Sequence, residues 1–139
     1  MYLIKDYLKF YKDTSFKEVS FNEIDNILFA ELSYLNFKNI VTNKKINMME
    51  AINLYLNSNN KDNDTTFMNG IIENIKIIKD SKRYNNCYLF NYVKEVTDNK
   101  QFGVLSIQID SKTLYISYEG TDSSMSGWKE NFEMYRICV

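Results

Sequence analysis

An α+β fold is what this sequence predicts, and three observations predict it. Apolar residues recur at helical spacing through the first half. From Cys87 the period changes to two, and two short polar turns separate three β-rich runs. The expected architecture is a helical N-terminal half, then an antiparallel three-stranded meander, then a helix. At 139 residues the chain forms one small domain.

The first helix is expected over Leu3–Tyr11, where Leu3, Tyr7, Leu8 and Tyr11 share a face suited to docking. Ser20-x-x-Glu23 has the form of a capping box, which satisfies two free N–H groups at a helix start. After it, Ile24, Ile27, Leu28, Leu32 and Leu35 form a stripe, so a helix is predicted from Asn22 to Leu35. Asn47-x-x-Glu50 is a similar start, followed by Ala51, Leu54 and Tyr55. Asn57–Asp64 is a polar loop. From Thr65 to Asp80, Phe67, Met68, Ile71, Ile72, Ile75 and Ile78 lie on one face, with Gly70 a weak spot. Asp80-Ser81-Lys82-Arg83 reads as a solvated helix end, where the cations suit the dipole.

The first strand is expected over Cys87–Val96, with Tyr88, Phe90, Tyr92 and Lys94 pointing one way. Leu89, Val93 and Val96 do not keep a perfect alternation. Thr97-Asp98-Asn99-Lys100 is a turn. In the second strand Phe102, Val104, Ser106 and Gln108 alternate with Gly103, Leu105, Ile107 and Ile109. Asp110-Ser111-Lys112 turns into a third strand, Leu114–Tyr118. The strand order is therefore a meander. A polar loop, Thr121–Ser126, follows Gly120, and Trp128, Phe132 and Tyr135 then recur at helical spacing.

Composition excludes several function classes. Seventeen basic residues against 18 acidic ones leave a net charge of −1, which offers no long-range pull on nucleic acid. Arg83 and Arg136 are the only arginines, so bidentate anion sites are scarce. The N-terminal MYLIKDYLKFYKD carries charge throughout and lacks the apolar core of a signal peptide. No apolar run reaches the roughly 18 residues of a membrane span. Cys87 and Cys138 lack metal-site spacing, and two thiols without an export signal point to a reducing cytoplasm. Cys87 is expected to be a buried structural thiol. The sequence contains no His, so neither a Ser-His-Asp nor a Cys-His device can be assembled from it. Asp62 and Asp64 are too few and too irregular for a calcium loop, and no cofactor or metal is expected.

The residues themselves carry a resemblance. YEGTDSSMSGWKENFEM, from Tyr118 to Met134, looks like the FRGTD…GWKEDFNM signature of the Mbeg1-like family of lipase-like proteins. More distantly it is similar to the loop of class 3 lipases. SFKEVSFNEIDNILFAELSYLNF, starting at Ser15, resembles the family's FNEVD…LSYLDF helix. DSKRYNNCYLFNYVKEVTDNKQFGVLSIQID, starting at Asp80, resembles its SKRF…YV…D…QFSAV strands. Three separated motifs agree in order and spacing, across most of the chain.

The resemblance implies the N-terminal portion of an α/β-hydrolase fold. Residues 1–83 would be a mostly helical cap region, and residues 84–139 the strands, an oxyanion-type loop and the following helix, in a single incomplete domain. In such hydrolases the nucleophile sits in a later G-x-S-x-G elbow, and an acid and a His follow it. None of these is in this sequence. What carries over is Gly120-Thr121-Asp122. Thr121, with its N–H and hydroxyl, and Asp122 are the oxyanion-hole candidates, worth a few kcal/mol per donor (about 3) in a complete site. Asp122 has a second reading as an ordinary helix cap. Ser123, Ser124 and Ser126 read as loop hydroxyls, because no base is present to activate one. Trp128 and Phe132 read as core residues.

Two positions depart from the family pattern. Glu119 stands where the pattern has Arg, and Asn131 where it has Asp. Either these positions normally pair and both signs were lost together, or the sequence no longer serves catalysis. Two functions follow. The chain is the N-terminal part of a lipase-like serine hydrolase, inactive alone and acting on an ester or lipid only in a complete protein. Alternatively, it is a short non-catalytic binding protein derived from that family. Open strand edges and apolar faces would favour self-association of the isolated piece.

Overall fold

A computed structural model describes residues 2–60, 62, 64–97, 100–119 and 135–138. Among the described residues, four helices and five short-to-medium strands follow in the order α1 (Tyr2–Tyr11), α2 (Glu23–Leu32), β1 (Ile46–Asn47), α3 (Met48–Leu56), α4 (Thr66–Ile78), β2 (Tyr88–Thr97), β3 (Lys100–Asp110), β4 (Thr113–Glu119) and β5 (Tyr135–Cys138). The strands form one antiparallel sheet in sequence order. The α+β class and the central meander β2–β3–β4 are as expected. Among the described residues the sheet has five strands rather than three, because β1 and β5 add to the two edges. Tyr135 is a strand residue paired with Ile116, not the end of a helix. β1 escaped notice because two residues are too short to show a period.

Helix starts follow local capping chemistry, with one shift. α2 begins at Asn22, not at Ser20: Asn22 Oδ1 accepts from the Ile24 N–H at 3.0 Å, and the Asn22 N–H donates to Asp25 Oδ2 at 3.0 Å. This Asn22–Asp25 pair is the working capping box. The Ser20 carbonyl is occupied instead by Asn22 Nδ2 and by Arg83. α3 starts as expected, with Asn47 Oδ1 accepting from Met49 and Glu50. Thr65 caps α4 through the Met68 N–H.

The helices cover one face of the sheet. α2 packs on β4, α3 on β1 and β2, and α1 on α4. Leu8, Leu28, Phe29, Leu32, Leu35, Phe37, Ile52, Ile71, Ile75, Leu89, Leu105, Ile107 and Tyr115 fill the space between. Burial of this apolar surface is the main stabilising term, at about 25 cal/mol per Å². On α1 the buried pair is Ile4 and Leu8. The stripe on α4 includes Asn74, which the apolar pattern passed over. Gly70 has no neighbour near its missing side chain.

The faulty alternation in β2 is a bulge. Register slips between Phe90 and Val93, and Asn91 takes φ 53°. Tyr88 and Phe90 therefore face away from the helices, while Tyr92 turns inward and donates its hydroxyl to the Leu35 carbonyl at 3.1 Å. The four residues do not share a face. On the face turned away from the helices, Tyr88, Val93 and Tyr118 are exposed.

Candidate functional site

The sequence points to the end of β4 as the place to look. Thr121 and Asp122, the oxyanion-hole candidates, lie outside the described residues, as do Ser123, Ser124, Ser126, Trp128, Asn131 and Phe132. The described part of β4 ends at Glu119. Its carboxylate is 3% exposed and lies 3.5 Å from Lys94 Nζ. Lys94 pairs in register with Gly103, and Gly103 with Glu119. Three strands thus place the two charges side by side, and the glycine between them leaves the room they need. Lys94 Nζ also donates to the Tyr34 carbonyl at 3.4 Å, just beyond α2. The negative end of that helix is where a cation is favoured. Glu119 is therefore held by a cation on β2.

This end of the sheet also adjoins a cleft of about 470 Å³ lined by Asn36, Lys38, Asn39, Val41, Tyr92 and Lys94. Comparison with known families shows what this end is similar to. Residues 78–138 match the model of the Mbeg1-like family. The Mbeg1-like stretch runs from the last residue of α4 through β5, so it contains the whole meander and the Gly120-Thr121-Asp122 segment. No curated protein and no solved structure shows significant similarity to the chain.

A second cluster ties the Mbeg1-like stretch to the helices before it. Arg83 was expected at a solvated helix end; it is instead fully buried. Its Nε and Nη2 donate to Asp25 Oδ1 and Oδ2 at 2.9 and 2.7 Å. Nη1 donates to the carbonyls of Thr14, Ser15 and Val19, Nη2 to that of Ser20, and the guanidinium lies 4.3 Å from the Phe16 ring centre. Tyr84 Oη donates to Asp25 Oδ1 at 2.6 Å. Burial alone would lower the Arg83 pKa; the hydrogen bonds and charge of Asp25 outweigh it and hold the pKa above its ordinary value. Burial, reinforced by the Asp25 charge, raises that of Tyr84. Only a planar, five-donor side chain can satisfy this set of acceptors. The signal was available: one of only two Arg among 17 cations, followed by Tyr.

The larger cleft, about 880 Å³, opens at the other end of the sheet, between Phe16, Phe21, Arg83, Cys87, Ile109 and Asp110. Its chemistry is quiet. Arg83 is committed to its six acceptors, and burial pushes the Cys87 thiol up to about 12, leaving it protonated at neutral pH. Cys87 is a buried free thiol, as expected. The end of β4, not this larger cleft, carries the candidate site. Among the described residues no cluster of His, Cys, Asp and Glu could hold a metal, and no helix is long and apolar enough to cross a membrane. Asp62 accepts from the Asn36 N–H at 3.1 Å and from the Tyr55 hydroxyl, so it ties loops together.

Proposed function

We propose that this chain supplies the N-terminal portion of an α/β-hydrolase-type acyl hydrolase, with Gly120-Thr121-Asp122 as its oxyanion loop. The nucleophile, acid and His would come from polypeptide beyond this chain. Residues 1–83 would act as a helical cap region and residues 84–139 as the opening strands, loop and helix of the catalytic fold. The observation that carries this reading is the family match over residues 78–138, which brackets the meander and the loop together. The anchoring of Glu119 by Lys94 supports it, because a loop that must present donors to a transition state needs a fixed base. The compartment fitting a free buried thiol is the cytoplasm.

A second reading rests on Glu119. An acid replaces the pattern's arginine there and lies 3.5 Å from Lys94, so a cation from β2 faces the position where the family carries its own charge. On this reading the chain binds a partner and catalyses nothing.

The two separate by assay. The isolated chain is expected to be inert toward short-chain aryl esters, since it has no His to activate a nucleophile. Joined to the C-terminal part of an Mbeg1-like relative that carries G-x-S-x-G and the later acid and His, it should turn the same esters over. A well-folded joined protein without turnover favours the binding reading.

A further inference from the structure

Glu31 and Asn74 face each other between α2 and α4. Glu31 is 7% and Asn74 2% exposed. Asn74 Nδ2 donates to Glu31 Oε1 at 3.1 Å, while Asn74 Oδ1 is buried with no hydrogen-bond partner. A buried amide oxygen left unmet destabilises the fold. The missing partner is a donor, and the side chain already bonded to this amide is a carboxyl that becomes a donor on taking up one proton.

We infer that Glu31 and Asn74 form a proton-operated latch between α2 and α4. A solvent proton added to Glu31 Oε2 makes an O–H that donates to Asn74 Oδ1, while Asn74 Nδ2 keeps its bond to Oε1. Acid and amide then close a ring of two reciprocal hydrogen bonds, and the orphaned oxygen is met. Loss of the proton opens one of the two and leaves a charge in an apolar interface. The latch reaches the sheet, because the carbonyls of Phe29 and Ala30, on the same turn of α2, accept the Ser117 hydroxyl of β4. Ser117 lies two residues before Glu119.

Other charges do not account for the site. On α4, Glu73 is turned to Lys5 of α1, and Lys76 is exposed. On β4, Tyr115 donates to Asn26 and Glu119 lies against Lys94, while Tyr118 is on the far face. On α2 itself, Asp25 is bound to Arg83, and Glu23 lies at the opposite end of the helix. Burial is the main influence and raises the Glu31 pKa to about 7; the Asn74 bond and the charge of the amino terminus act weakly the other way. The folded pKa lies above the unfolded one, near 4.5. The latch is therefore fully closed below the unfolded value and is lost as pH rises through the folded value.

The chain suits the test, because it has no His to titrate in the same range. Unfolding by urea would be followed from pH 5.5 to 8, with ¹³C NMR of the Glu31 carboxyl and the Asn74 carboxamide in the folded protein. The folding equilibrium constant should fall by close to tenfold per pH unit between about 5.5 and 6.5, and flatten above about 7. Glu31→Gln, which keeps the shape and cannot ionise, should remove that slope. The Asn74 carboxamide carbon should shift with the same midpoint as the Glu31 carboxyl, which burial without the latch would not produce. Titration of Glu31 near 4.5, or a titration that leaves the Asn74 signal unmoved, would overturn the inference. The NMR arm decides even where Glu31→Gln fails to fold.

Discussion

Lys94 and Glu119 meet across a strand that separates them: Nζ lies 3.5 Å from Oε2, over Gly103, the residue in register with both. A side chain at position 103 would occupy their meeting place. A Cβ there would fall 2.8 Å from Glu119 Oε2, 3.1 Å from Glu119 Cβ and 3.4 Å from the Ser33 carbonyl. The carboxylate tip can swing aside, but Glu119 Cβ, fixed to the β4 backbone, has little room to give.

Gly103→Ala should therefore destabilise the fold by about 1–3 kcal/mol through overpacking. The loss should shrink when Glu119 is already Ala, since most of the clash is with that side chain. Urea unfolding of the four members of this cycle measures the coupling. Equal losses in both backgrounds would mean that the pair does not depend on the glycine.

Arg83→Lys should cost about 3–5 kcal/mol, although it keeps the charge. An ammonium has three donors and no fork, so it cannot hold both Asp25 oxygens and four carbonyls. Thermal unfolding of the variant is the check, and a loss below about 1 kcal/mol would show that the forked donor geometry is not what this site requires.

The α2 start gives a paired test. Asn22→Ala should lose about 1 kcal/mol, while Ser20→Ala should stay within about 0.5 kcal/mol, because only the backbone carbonyl of Ser20 is used. The reverse ranking would restore Ser20 as the cap.

In a Cys138→Ser background, Cys87 should react with a disulfide reagent at pH 8 only as fast as the protein unfolds. Its thiol is buried and its pKa is raised from 9.0 to about 12. The neutral thiol's contribution to stability should be intact below about pH 9 and be lost as pH rises toward 12. Rapid labelling of the folded protein would contradict the burial.

Much of this fold was legible in the residues, and the misses have physical causes. Periods of 3.6 and two located the helices and the meander, because burial on one face is what writes those periods. The β2 bulge was visible as a broken alternation, but the sequence alone could not say which residue was extra. Arg83 was misread because charge near a helix end is ordinarily solvated; its burial depends on four carbonyls from residues 14–20, more than 60 positions away. The same holds for Lys94, whose partner is set by strand register and not by sequence distance. At the site, the Gly120-Thr121-Asp122 motif was readable only through the family pattern, while the Glu119 anchor required the sheet.

Thr121→Val, made in the joined, active protein, tests the central claim most directly. It removes one hydroxyl donor at nearly constant volume. If the loop after β4 holds the oxyanion, kcat for ester hydrolysis should fall by roughly ten- to a thousand-fold with KM almost unchanged, as expected of a contact made only in the transition state. An unchanged kcat with a raised KM would contradict the account and make Thr121 a substrate-binding or loop-shaping residue.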